Sequence, residues 1–301
     1  MNNRTPGPSL TDNAAVRSFF EKQGMKNAMV RKFIAAITLR DVLLVAKEYH
    51  DDNYLCAFDL LGDIATTAEA VEASVQGYLE LIRQMSIFSV DSYLSVKLSS
   101  LGLDISEGLA RTNLHRLTQE ASNRGRIFIR VEPDGVSSVG KVFQIVAEEH
   151  RLYPHIGTVV QAYLRRTEKD LSLLIKENVS IRLVDRVSPE PVADSYYSKT
   201  EIEAAFRKHM FFLLDRGAHP AIGTHDPEII DVAKKFIKQQ NIPKERYEFE
   251  MLFGVRRDLQ KQLLKEGHNV RVYIPFGVAW YPYFSKHLAE SGFSLGSLFG
   301  K

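Results

Sequence analysis

IGTVVQAYLRRTEKDLSLLIKENVSIRLVD, residues 156–185, decides the fold. It opens on a short run rich in β-branched residues, IGTVVQAY (156–163), and passes through EKDLSLLI, whose apolar positions recur at helical spacing. It closes on a second short run, VSIRLVD (179–185). A strand, a charge-bearing amphipathic helix and a second strand joined by turns of a few residues read as one βαβ unit. Working outward, the same alternation repeats. Six more runs qualify: YLCAFDLL (54–61), YLSVKL (93–98), IFIRVE (127–132), HPAIGT (219–224), YEFEML (247–252) and VRVYIP (270–275). Between them lie helical patterns such as AVEASVQGYLELIRQM (70–85) and IEAAFRKHMFFLLDRG. Eight strand–helix repeats predict an α/β fold, a closed (β/α)8 barrel. A doubly wound open sheet is the alternative, because hydrophobic pattern alone does not show closure. No G-x-G-x-x-G follows any run, so the dinucleotide turn of that alternative is missing.

The first dozen residues are polar and read as a lead. Residues 14–48 carry helical spacing, so residues 1–50 are expected to form an N-terminal helical extension on a barrel spanning 51–301, a single functional domain. Composition bounds the rest. In 301 residues there are 39 basic and 37 acidic side chains, too even a balance for a nucleic-acid binder held by bulk charge. Cys56 is the only cysteine and sits in an apolar run, which predicts a buried structural thiol. The N-terminal stretch lacks an apolar signal core, and no run approaches ~18 apolar residues. The expectation is a cytoplasmic enzyme, with peripheral membrane contact open.

In such a barrel chemistry gathers at the C-terminal ends of the strands. Reading those ends gives Asp59, Lys97, Glu132, Gln161, Arg182 with Asp185, Thr224-His225-Asp226, Glu248 with Glu250, and Arg271 with Tyr273. Burying such groups costs several kcal/mol each unless they are paired. Lys97 admits three readings: a Schiff-base nucleophile, a cationic partner for a substrate carboxylate or cofactor, or an ion pair with Glu132 or Asp59. His225 stands in a strand-to-helix turn where Thr224 or Asp226 can cap the next helix. No cysteine or second histidine lies near it in sequence, so hydrogen bonding to a cofactor is expected rather than metal ligation.

At these residues the chain resembles bacterial single-domain proline dehydrogenases over nearly all of 25–291. QAYLRRTEKDL (Gln161 to Leu171), GTHDPEII (Gly223 to Ile230) and FEMLFGVR (Phe249 to Arg256) carry the likeness. GHNVRVYIPFG (267–277) and WYPY (280–283) follow, with weaker matches in FDLLGD (58–63) and VKLSSLGLD (96–104). The resemblance implies a barrel that binds FAD without a Rossmann module. It also implies hydride transfer from the carbon beside an amine nitrogen to flavin N5, and reoxidation by a quinone. It implies Arg182 near N5, Gln161 at the flavin ring edge, and Thr224, His225 and Glu250 on the adenosine and ribityl portions, with Glu290 assisting. Lys97 and Tyr273 would line the substrate pocket, and Glu132 stands where the family has aspartate.

Two departures stand out. The family pattern W-x-P-Y-x-x-R-R-L binds the substrate carboxylate through adjacent arginines, and here Lys286 and His287 occupy those positions. After strand five the family reads R-L-V-K-G-A-Y, whereas this chain reads R-L-V-D-R-V-S. That substitutes Asp185, Arg186, Val187 and, for an aromatic lid, Ser188. The expectation is a retained flavin with an altered substrate pocket, whether for proline, a carboxylate-modified amine or another secondary amine. A non-catalytic homologue is the competing reading.

Overall fold

The computed structural model describes residues 13–62, 65–88, 92–125, 127–186 and 190–290. Among them, eight parallel strands close on themselves in sequence order: β1 Leu55–Leu60, β2 Ser92–Lys97, β3 Ile129–Glu132, β4 Ile156–Gln161, β5 Ser180–Val184, β6 Ala221–Gly223, β7 Glu248–Leu252 and β8 Val270–Phe276. Closure is made by β1 against β8, with Leu55 opposite Arg271 through Leu60 opposite Phe276. Each run read as a strand coincides with one to within a few residues, and the open-sheet alternative is excluded.

Helices α1 Ala14–Gln23, α2 Ala28–Phe33 and α3 Leu39–Asp51 precede the barrel. The crossover helices are α4 Ala68–Ile87, α5 Glu107–Asn123, α6 Val136–His150, α7 Thr167–Lys176, α8 Lys199–Arg216, α9 Pro227–Gln239 and α10 Arg257–Lys265, and α11 Trp280–Glu290 follows β8. Their starts are written in the sequence. Asn13, Asn27, Thr38, Thr67 and Ser106 each accept a first-turn backbone N–H, and Ser198 with Glu201 forms a reciprocal capping box. The helical stretch expected over 14–48 is broken twice, because Asn27 and Thr38 take extended backbone and restart it as caps.

Period-two alternation divides each strand. Cys56, Phe58, Leu94, Val96, Val131, Ile181 and Leu183 join the apolar layer shared with the crossover helices, while the alternate residues point into the barrel. Cys56 is buried as expected, its thiol against the Ala46 carbonyl oxygen at 3.8 Å. Helix α3 contributes Val42, Leu43 and Ala46 to this main core.

A second apolar core joins the chain's beginning to its end. Val16, Phe20, Val30, Phe33 and Ile34 pack with Trp280, Tyr281, Phe284 and Leu288, with the Phe20 and Phe284 rings edge to face at 4.8 Å. Gly254, just past β7, lets this layer close down. Its φ is +73°, and a Cβ there would lie 1.7 Å from the Lys32 carbonyl oxygen, so only glycine fits.

Candidate active site

The barrel interior is polar from floor to mouth. At the floor, near the strand starts, Arg271 makes a bidentate pair with Glu248 at 2.9 and 3.0 Å and donates to the Cys56 carbonyl at 2.6 Å. Its guanidinium lies 3.3 Å from the Tyr93 ring centroid. Arg130 beside it donates to the Thr158 carbonyl at 3.2 Å and is flanked by the rings of Tyr93 and Phe128. Glu248 and Arg271 were read as strand-tip residues, and the structure corrects this. They stand at the opposite end of their strands, 0% and 3% exposed, and close the floor as a structural pair.

Higher up, Arg182 crosses the barrel between two carboxylates. One terminal nitrogen donates to Glu250 at 2.5 Å and the other to Glu132 at 2.7 Å. Glu132 also accepts from the Ser95 hydroxyl and from the Tyr273 hydroxyl, the latter at 3.1 Å. The guanidinium sits 4.9 Å from the Tyr273 ring centroid. Burial works against the Arg182 charge, but Glu132 and Glu250 outweigh it and hold its pKa well above the ordinary value. For Glu132, burial is likewise outweighed by Arg182, Lys97 and Ser95, and its carboxyl is held below the usual range. The network has open valences. Among the described residues, the buried Arg182 Nε and Glu250 Oε2 have no hydrogen-bond partner.

At the mouth Lys97 is surrounded by protein yet exposed to solvent, the combination an open pit produces. Burial would lower its ammonium, but Asp59, Glu132 and Asp134 outweigh that and raise it. No ion pair within 4.0 Å involves Lys97 among the described residues, which removes the plain ion-pair reading. Asp59 is buried on the same level. Desolvation and then the Glu132 charge push its carboxyl up to about 6, against Lys97, the nearby Tyr273 hydroxyl, and Arg182.

On the other side of the mouth stand Gln161, Thr224 and His225. Thr167 donates its hydroxyl to the Gln161 carbonyl at 2.6 Å, which fixes the turn after β4. Thr224 Oγ1 accepts from the Asp226 N–H, and Asp226 caps α9 with Pro227 in its first turn, so the capping role falls to Asp226. His225 Nε2 accepts from the Leu252 N–H at 2.8 Å, which assigns the ring proton to Nδ1. Burial first, then His287 and Arg256, lower this histidine to about 4, so it is neutral at pH 7.

Helix α11 brings Tyr283 close to Tyr273, and His287 close to His225. His287 is half-buried, its ring 4.3 Å from Tyr283 and stacked at 6.4 Å on Phe33, while Lys286 is exposed. Asp185 and Arg186 are exposed beyond β5; Val187, Ser188 and the Glu290 side chain lie outside the described residues.

Against family models, residues 42–183 and 187–295 match the one described as proline dehydrogenase. The chain belongs to the proline dehydrogenase family. It is therefore an oxidoreductase of that family, whose members are generally flavin-dependent. It is 31% identical over 281 residues to proline dehydrogenase 2 of Bacillus subtilis, covering 90% of this chain and 92% of that one. It is 32% identical over 279 residues to proline dehydrogenase of Deinococcus radiodurans, covering 90% and 88%. Among solved structures, proline utilization A from Bdellovibrio bacteriovorus, inactivated by N-propargylglycine, superposes with a TM-score of 0.82 at 20% identity. That match covers 95% of this chain but 35% of the larger protein, so the chain spans about a third of its length and shares the barrel fold.

In this proline dehydrogenase family member the structure joins Arg182, Glu132, Glu250 and Tyr273, all singled out in the sequence, in one network. Gln161, Thr224 and His225 stand at the rim. The sequence does not single out Ser95, Asp134 or Tyr283, and it offers Asp59 as a polar strand tip and a candidate ion-pair partner of Lys97. Ser95 was within reach, because it shares the inward phase of β2 with Lys97.

Proposed function

We propose that this proline dehydrogenase homologue binds FAD in the barrel mouth and oxidises the C–N bond of proline or a proline-like secondary amine to an imine. One observation carries the reading. A buried guanidinium clamped by two carboxylates, with Arg182 Nε and Glu250 Oε2 unsatisfied among the described residues, borders a solvent-reached pit with a lysine at its edge. Leaving buried polar atoms unpaired costs roughly 1–3 kcal/mol each, and a polar ligand seated there removes that cost. These residues fit a flavin. Arg182 would set a fixed positive charge beside its ring, Gln161 would meet the ring edge, and Thr224, the His225 Nδ1–H and Glu250 would hold the rest. Bound FAD would supply the hydride acceptor.

The chain's own contribution is positional and electrostatic. The two carboxylates fix the Arg182 plane, so its charge is oriented before any reaction begins. Tyr273 walls the pit while donating to Glu132, and Lys97, kept protonated, meets an anionic group of the substrate. Among the described residues no helix is long and apolar enough to cross a membrane; a quinone reached at the membrane surface is the acceptor we propose.

A second reading concerns the substrate. Lys286 and His287 replace a bidentate fork with a single ammonium and a stacked, half-buried imidazole. That weakens recognition of a free α-carboxylate and favours an amine whose carboxylate is absent, masked or displaced. The test is anaerobic bleaching of the bound flavin across a panel of cyclic and acyclic amines, including proline. Bleaching by at least one secondary amine is expected. A purified protein that takes up no FAD, or a bound flavin that no amine bleaches, overturns the proposal.

A further inference from the structure

Three carboxylates face the upper barrel, and two of them are ion-paired to Arg182. Glu132 is held by Arg182, Ser95 and Tyr273, and Glu250 by Arg182. Asp59, fifth residue of β1, forms no ion pair among the described residues, and the nearby Tyr273 hydroxyl gives its one proton to Glu132. Asp59 lies near the C-terminal end of β1 within electrostatic reach of Lys97, and is 8% exposed. Resting on the reading above, we propose that Asp59 is the proton acceptor for the substrate's amine.

The chemistry requires such a group. A secondary amine arrives at neutral pH as R2NH2+, and no hydride leaves the adjacent carbon until nitrogen has a lone pair to form the C=N bond. In the first step an N–H bond breaks and an O–H bond forms, giving R2NH and a protonated Asp59. In the second, the nitrogen lone pair would become the new π bond as the C–H electron pair leaves as hydride to the acceptor that bound FAD would supply, giving the iminium ion. Asp59 then returns its proton to solvent through the mouth. The amine is oxidised by two electrons and the flavin is reduced by two, so no other reactant is needed.

The surroundings exclude the neighbouring candidates. Lys97 is held protonated by Asp59, Glu132 and Asp134 and has no lone pair to offer. Tyr273 is pushed well above the ordinary phenol value, first by burial, and keeps its proton. Glu132 and Glu250 are both ion-paired to Arg182, and Glu132 is held ionised with three donors on one of its oxygens. The groups facing Asp59 are Glu132 from β3, Lys97 from β2, Tyr273 from β8, Arg182 from β5 and Tyr78 from α4. With them in place its carboxyl sits at about 6, poised as a base near neutrality.

The test uses the flavin-loaded protein and single-turnover bleaching from pH 5 to 9. Its two probes are the best cyclic amine of the panel and the same ring carrying two fluorines, which make the amine weakly basic. In the wild type, the rate with the parent amine should rise with a limb near about 6. In Asp59→Asn that limb should move up to the titration of the free amine, with a loss of ~100-fold at pH 7. The fluorinated analogue, already neutral, should lose under ~10-fold. Asp59→Glu should restore both the limb and most of the rate. Equal losses with the two amines, or an unmoved limb in Asp59→Asn, would overturn this assignment while leaving the flavin reading intact. A wild type bleached by no amine overturns the reading beneath it instead.

Discussion

Floor and mouth of this barrel hold the same kind of chemistry in two states of completion. At the floor, Arg271 meets both oxygens of Glu248, takes a third acceptor from Cys56 and covers the Tyr93 ring. At the mouth, Arg182 divides its two terminal nitrogens between Glu132 and Glu250 and leaves Nε, with Glu250 Oε2, unanswered among the described residues. One guanidinium is saturated by the protein, and the other is held in place with donor capacity to spare. An ion pair built for stability satisfies itself, whereas one built for a ligand stops short. Arg130 complicates the floor, since its Nε and Nη2 also lack partners among the described residues. It is enclosed by two rings at 1% exposure, away from the pit.

The comparison can be broken at either end. Arg271→Met should cost the largest effect, about 3–5 kcal/mol in urea unfolding, because Glu248 is left charged and buried. Adding Glu248→Leu should recover most of it. Flavin reduction per folded molecule should be unchanged, and a selective loss of reduction would mean that the floor is not merely structural. Arg182→Ala should slow anaerobic bleaching by ~100–1,000-fold; a rate within tenfold of wild type would remove this residue from the reaction.

Smaller effects sharpen the picture at the substrate end. Lys286→Arg with His287→Arg should tighten binding of carboxylate-bearing proline analogues by ~10-fold, about 1.4 kcal/mol, read by flavin difference titration. No change would show that these side chains do not meet the substrate. The smallest expected effect is on pH dependence. His225 and His209 are both lowered to about 4, chiefly by burial, so each is neutral when folded and takes up a proton more readily when unfolded. Their stabilising contribution is present above about pH 6.5 and is lost as pH falls toward 4, by at most about 1.4 kcal/mol per unit for each. Urea unfolding at pH 7, 6 and 5 should show that slope, and His209→Asn should flatten it.

The barrel was legible because period-two runs and helical spacing are local signals, and each of the eight runs coincides with a strand to within a few residues. Most of the hydrogen-bonded network was legible, since Glu132, Arg182, Glu250 and Tyr273 all stand out in the sequence, while Ser95 does not. Depth was not. A strand's polar residues do not announce which end they occupy in a tilted, closed sheet, so Glu248 and Arg271 read like Glu250 and Tyr273. Nor could pairing be read, because the bonds from Arg182 to Glu132 and Glu250 span 50 and 68 residues. Asp59 reads as a polar tip or a partner for Lys97 for the same reason: what distinguishes it is that Glu132 and Glu250 are ion-paired to Arg182 and it is not.

The aromatic seam between Phe20, Phe33 and Phe284 has a consequence for how the molecule comes apart. The helix carrying Lys286 and His287 is fastened to the first two helices through a core separate from the barrel's own. Mild denaturant should therefore part this clasp while the eight strands hold. Release of a prosthetic group would then precede global melting, and two steps, not one, would mark the protein's thermal death.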